Sequence, residues 1–202
     1  VYLPSETVKK RQPIPLARVR KLQGECVRLN DDIRWLVALI SDTGMRLSEA
    51  VGLRHQDLKL DHEVPHVALV PHATRRLKTD SSERVIPLVG ASLWAAQKII
   101  ESDHSEYCFP RYCSDAVCKS NSASAAINKW IKAVVGSNAV IHGFRYGFRD
   151  RLRAVEAPVD MIDQLGGWSL RSVGQGYGEG YPLRNLEQWM RKIETFRHDA
   201  LT

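Results

Sequence analysis

The chain has 202 residues, 29 lysines and arginines against 23 aspartates and glutamates, and a formal net charge of +6. With 44% hydrophobic and 26% charged residues it has the composition of a globular domain with a full core, which excludes a disordered or fibrous chain. No stretch approaches the roughly 18 apolar residues of a membrane span, and the positive balance favours an anionic partner only where basic side chains converge.

Residues 1–28 are basic and punctuated by Pro4, Pro13 and Pro15, and carry Lys9, Lys10, Arg11, Arg18, Arg20, Lys21 and Arg28. They read as a basic lead-in or linker with a first helix over 16–27, ahead of a folded domain over 29–202. The start at Val1 rather than Met, with no signal-peptide apolar region behind it, is expected of a piece of a longer protein. Ile33, Leu36, Val37 and Ile40 then recur at helical spacing behind Asp31 and Asp32, and Gly44 supplies the stop. A second helical run is predicted from Arg46 to Leu53. Val67–Val70 and Arg84–Leu88 are strand-like, joined by a polar, basic connection over 72–83. Helical texture returns over 91–101, 122–135, 142–155, 158–166 and 183–197. The last of these carries an apolar stripe of Leu186, Trp189, Met190, Ile193 and Phe196. The fold class is therefore mainly α with a small antiparallel β-sheet.

Two patterns point to chemistry that their surroundings disfavour. Cys108, Cys113 and Cys118 recur every five residues and Cys26 stands apart, without the two-residue gap of paired zinc ligands. Free thiols in a reducing cytoplasm are the expectation, with no metal site. His62-Glu63-Val64-Pro65-His66 fits the H-E-x-x-H zinc-protease pattern, but that site needs one helix face and Pro65 sits inside the would-be helix.

Three other segments belong together. They are Thr43-Gly44-Met45-Arg46-Leu47-Ser48-Glu49, then Leu77-Lys78-Thr79-Asp80, and then His142-Gly143-Phe144-Arg145 followed by Gly166-Gly167-Trp168 and Gln175-Gly176-Tyr177. In this order they resemble the catalytic domain of the tyrosine recombinases, the phage-integrase family, over about residues 30–197. The stretch from Tyr177 to Leu183 resembles the prophage-integrase branch. The resemblance implies Arg46, Lys78, His142, Arg145 and Trp168 around the nucleophile Tyr177, with Glu49 in support and Arg75, Arg76 and Arg84 as DNA contacts. It also implies a 3′-phosphotyrosyl intermediate, without cofactor, ATP or required metal. Lys78 matches the hairpin lysine that protonates the leaving 5′-oxygen. The family spacing selects Tyr177, nine residues after Trp168, over the neighbouring Tyr181. Two departures stand out: Tyr146 follows Arg145 where a second histidine is common, and Gly166 occupies a place commonly taken by leucine, which is expected to loosen helix packing.

The residue types suit this chemistry on their own terms. Arginine forks are permanently charged and match phosphate oxygens. Glu49 lies one helical turn from Arg46, and His142 lies three residues from Arg145. The Trp168 indole N–H is a donor that does not titrate. A phenol with an ordinary pKa near 10 needs nearby cations and a proton acceptor to attack phosphorus. The expected partners are double-stranded DNA with attachment-type sites and three further copies of the chain in a tetramer. The isolated domain is expected to be monomeric, to bind DNA weakly and salt-dependently, and to act in the bacterial cytoplasm without a membrane. The helix at 183–197 is expected to dock on its own domain and exchange between copies. A type IB topoisomerase-like activity and a catalytically silent DNA-binding relative are the alternatives.

Overall fold

A computed structural model of the chain describes residues 12–72, 75, 82–102, 105–114, 117–136, 138–168 and 180–196. Its helices are α1 (Leu16–Leu29), α2 (Asp32–Thr43), α3 (Leu47–Val51), α4 (Gly90–Ser102), α5 (Ser120–Val135), α6 (Gly143–Ala154), α7 (Val159–Gly166) and α8 (Leu183–Lys192). The strands are β1 (Leu58–Lys59), β2 (His66–Leu69), β3 (Arg84–Pro87), β4 (Cys113–Ser114) and β5 (Val117–Cys118). The mainly α architecture with a small antiparallel sheet is the one the periodicities predict.

Helix α2 is the axis of the core. Its N-terminus is capped by the Asp31 carboxylate, which accepts from the Arg34 backbone N–H at 3.0 Å. Every side chain from Leu36 to Thr43 is buried, as expected of a helix covered on all sides. Helices α1, α4 and α6 supply the cover. Because α1 contributes Val19, Leu22 and Cys26 to this core, residues 16–29 belong to the folded unit rather than to a lead-in. The helix stops at Gly44 with φ of +62°, and a Cβ there would lie 2.6 Å from the Phe148 ring. Both the left-handed turn and the close approach of α6 therefore require glycine.

Strands β1, β2 and β3 form an antiparallel sheet in that order, with Leu58 opposite Val67 and Val67 opposite Ile86. Pro87 ends β3 at the sheet edge, where a missing N–H is tolerated. Helices α7 and α8 pack against β3. His66 lies on β2 and meets the His62 ring edge-on at 4.8 Å, so the H-E-x-x-H stretch is a strand entry and not a metal-binding helix.

Two boundaries differ from the periodicity. The run predicted from Arg46 begins at Leu47, because Arg46 is extended and the Glu49 carboxylate folds back onto its backbone N–H at 2.8 Å. The last helix ends at Lys192 rather than 197. Beyond it the chain is held by tertiary bonds, with Arg151 donating to the Ile193 carbonyl (3.3 Å) and the Thr195 hydroxyl to Gln23 (2.7 Å). Leu186, Met190 and Ile193 of its stripe are nonetheless buried in this domain's own core. The free-thiol expectation is corrected at Cys113 and Cys118, which form a disulfide because the register of β4 and β5 sets them directly opposite. Cys26 and Cys108 are free, and burial pushes both thiols well above their ordinary range.

Candidate active site

Five elements bring one cluster of arginines together: the turn after α2, the start of α3, strand β3, the start of α6 and the end of α7. The end of α7 is the organising feature. A helix leaves its last carbonyls without intrahelical donors and carries negative partial charge there. Here the carbonyls of Leu165, Gly166 and Gly167 each accept from a different guanidinium. Arg84 Nε binds Leu165 O at 2.9 Å, Arg145 Nη2 binds Gly166 O at 2.6 Å, and Arg46 Nη2 lies 3.4 Å from Gly167 O. Gly167 turns the chain with φ of +60°. Arg145 also donates to the Gly44 carbonyl at 2.8 Å, so the stop of α2 and the last residue of α7, Gly166, hold one guanidinium between them.

Glu49 is the counterion. Its carboxylate accepts from Arg46 Nη1 at 2.5 Å and from Arg84 Nη2 at 2.9 Å. Burial pushes this carboxyl upward, but the Arg84 charge and the hydrogen bonds from Arg84 and Arg46 outweigh it, so Glu49 ionises below its usual range. Burial lowers the Arg84 pKa, while Glu49 opposes that shift. For Arg145 burial, reinforced by the charges of Arg46 and Arg84, brings the value down to about 9. Among the described residues the Arg46 and Arg84 guanidiniums share this one carboxylate and Arg145 rests on backbone carbonyls, which leaves excess positive charge for an anion. Arg46 is the outward member: its side chain is 23% exposed, against 2% for Arg84 and 5% for Glu49.

His142 sits immediately before α6, half-buried, with its ring edge-on to Tyr146 at 5.2 Å. The position following Arg145 therefore carries a ring that packs on the histidine. Trp168 follows the turn at Gly167, and its ring stacks on Arg145 with the guanidinium carbon 4.4 Å from the centroid. Arg46, Glu49, His142, Arg145 and Trp168 thus all stand on the elements that converge here. Lys78, Arg76 and Tyr177 lie outside the described residues.

Two sequence expectations are corrected. Arg84 is buried between Glu49 and α7. Arg75 is buried against Asp57 (2.8 Å) and the Val70 carbonyl (2.7 Å). Both guanidiniums are bonded to internal carboxylates and carbonyls in this fold. Tyr181 is likewise engaged: its hydroxyl donates to the Asp160 carboxylate (3.1 Å), and the Gln164 amide clasps its backbone N–H and carbonyl. Burial and the Asp160 bond raise its pKa, which disfavours the phenolate. Sequence reasoning missed Ser82, whose hydroxyl accepts from Arg46 at 3.2 Å, and Arg149, whose guanidinium also lies over the Trp168 ring, 4.8 Å from its centroid. Arg149 had a legible signal, one helical turn beyond Arg145. Ser82 had none.

The Phage integrase family model matches residues 19–181. The chain belongs to the phage integrase family. No curated protein matches the sequence. Among solved structures, the integrase-family domain is similar to XerA recombinase, with a TM-score of 0.61 at 13% identity, over 99% of this chain and 64% of that one. It is similar to the Tn1549 transposon integrase in complex with transposon right end DNA (TM-score 0.57, 16% identity, 93% of this chain and 68% of that one). It is similar also to XerH site-specific recombinase bound to difH substrate in a post-cleavage complex (TM-score 0.54, 13% identity, 94% of this chain and 52% of that one). These likenesses establish the tyrosine-recombinase catalytic fold, and the chain spans under two thirds of the XerA and XerH chains.

Proposed function

We propose that this chain is the catalytic part of a site-specific DNA recombinase that breaks and rejoins strands through a 3′-phosphotyrosyl link. The observation that carries the reading is the arginine cluster at the end of α7, with Arg46 turned outward and Arg145 fixed by two glycine carbonyls, in a member of the phage integrase family. The Tn1549 integrase structure is a complex with transposon right end DNA, which supports the same substrate class.

In this reading Arg46 and Arg145 bind the two non-bridging oxygens of the scissile phosphate and offset the charge that grows on them in the transition state. The Tyr177 phenol attacks phosphorus, its proton passing to His142, while the bond from phosphorus to the 5′-oxygen breaks. Lys78 delivers a proton to that leaving oxygen. The phosphotyrosyl link keeps the bond energy until a 5′-hydroxyl of a partner strand attacks it and restores the phenol. Trp168 completes the phosphate pocket. Glu49 acts through the arginines it orients. The substrate is double-stranded DNA with attachment-type sites, in the integration or excision of a prophage or other mobile element. Four copies assemble on two duplexes, each passing its C-terminal segment to the next, and the work is done where the bacterial DNA lies, in the cytoplasm.

Covalent capture tests this. The protein is incubated with end-labelled nicked duplexes carrying candidate attachment sequences, at low salt with EDTA, and quenched in SDS. A protein–DNA adduct that disappears in Tyr177→Phe and persists in Tyr181→Phe is expected. An adduct lost only in Tyr181→Phe would overturn the nucleophile assignment.

A further inference from the structure

Gly166 stands out as a position where a side chain is physically excluded. A Cβ built on it would fall 1.7 Å from Cζ3, 1.9 Å from Cε3 and 2.4 Å from Cη2 of the Trp168 ring. The glycine, expected from the sequence to loosen α7, instead makes the recess into which the benzo edge of the indole fits. From there the ring meets two guanidiniums of α6: Arg145 at 4.4 Å and Arg149 at 4.8 Å from its centroid. Arg149 is anchored by the Asp163 carboxylate of α7 at 3.3 Å. The Trp168 backbone N–H in turn donates to the Asp163 carbonyl at 3.0 Å. One residue, Asp163, therefore holds both Arg149 and the Trp168 backbone.

We propose that Arg149 is a positioning residue of the phosphate site: with Asp163 it holds the Trp168 indole on the Arg145 guanidinium, and Gly166 provides the recess that makes this stack possible. The inference rests on the phosphate-binding role assigned above to Arg145. Its physical basis is the repulsion among clustered cations. An aromatic face carries negative quadrupole charge and attracts cations on it, so the ring offsets the repulsion between Arg145 and Arg149. Arg145 is thereby held with its fork oriented before any phosphate arrives. Without the stack, Arg145 would keep its two carbonyl bonds but lose the wall that stops the guanidinium plane from tipping.

The atoms that collide with a residue at 166 are those of the six-membered ring, which an imidazole lacks. Gly166→Ala alone is therefore expected to expel the indole, and Gly166→Ala combined with Trp168→His to remove the collision. This makes a reciprocal test that a general packing role for either residue would not reproduce.

The experiment follows the Arg145 and Arg149 Nε–H resonances by NMR and titrates the protein with orthovanadate as the phosphate probe. Stacked guanidinium protons show ring-current upfield shifts, which should vanish in Trp168→Ala. In Arg149→Gln the Arg145 shift should shrink and the vanadate affinity read at Arg145 fall roughly fivefold, the order of one cation–π contact. Arg149→Lys should recover most of both. Gly166→Ala should lose the Arg145 shift, and the double variant with Trp168→His should recover vanadate affinity relative to Gly166→Ala. An Arg145 shift and vanadate affinity unchanged in Arg149→Gln would refute the positioning role, as would equal losses in Arg149→Lys and Arg149→Gln. Neither readout depends on DNA cleavage. Failure to form a DNA adduct, with these NMR responses intact, would count against the recombinase reading and leave the stack standing.

Discussion

Replacing Glu49 by Gln is the sharpest test of how the arginine cluster is held. The side chain keeps its shape but loses its charge, and the new amide N–H group points a donor at guanidinium donors. Arg84, 2% exposed, then loses its carboxylate partner among the described residues, and Arg46 loses its 2.5 Å partner. Breaking a buried ion pair from one side costs about 3–5 kcal/mol, because the remaining charge stays desolvated. Arg84 keeps its carbonyl bonds to Leu165 and Ser82, which places the expected loss at the lower end, about 3 kcal/mol. For a domain of this length that corresponds to about 10 °C in Tm.

The pH dependence supplies a second signature. Glu49 has a folded-state pKa below its ordinary 4.5. Its stabilisation is therefore fully present above that ordinary value and is lost as the pH falls through the lowered folded-state value. Urea denaturation of wild type and Glu49→Gln should show the widest gap near neutral pH and a closing gap under acid, once the wild-type carboxyl is protonated. Removing the stranded cation as well, in Glu49→Gln with Arg84→Met, should restore part of the loss. A gap below about 1 kcal/mol at pH 7, the range of an exposed ion pair, would refute the reasoning. A gap that does not change with pH would do the same.

Gly44→Ala should cost about 2–3 kcal/mol in denaturant unfolding, from the left-handed backbone and the 2.6 Å approach of Phe148 together, and a neutral result would mean that α6 can retreat. Met190→Ala should lose about 2–5 kcal/mol, since that side chain is fully buried in the domain's own core; an unaffected Tm would indicate that α8 docks elsewhere. Alkylation of the unfolded, unreduced protein should label Cys26 and Cys108 only, with Cys113 and Cys118 joining after reduction, as peptide mass spectrometry can read directly. Arg75→Ala should lower stability without a matching change in the salt dependence of DNA binding, because its guanidinium is spent on Asp57 and Val70.

Helix positions, the class of fold and the family were all present in the one-dimensional order. The 3.6-residue recurrence of Leu36, Val37 and Ile40, and of Leu186 and Met190, depends only on which face must be buried, and local spacing records that. The ordered motifs around Arg46, Arg145 and Trp168 identify the family because they are far apart in the chain yet stand on elements that converge. What spacing could not record was which cations face outward. Arg75 lies in the basic connection and Arg84 at the start of the strand after it, and tertiary packing buries both on carboxylates supplied from elsewhere in the chain, Asp57 and Glu49. The disulfide likewise depends on the β4–β5 register, which the five-residue recurrence of cysteines does not reveal. Gly166 shows the same limit most clearly. Close to Trp168 in sequence it is a weak helix former, but folded it is a position where a ring can lie against the backbone. Periodicity reports burial along one element; partnership between charges and close approach between rings and backbone exist only once several elements share one volume.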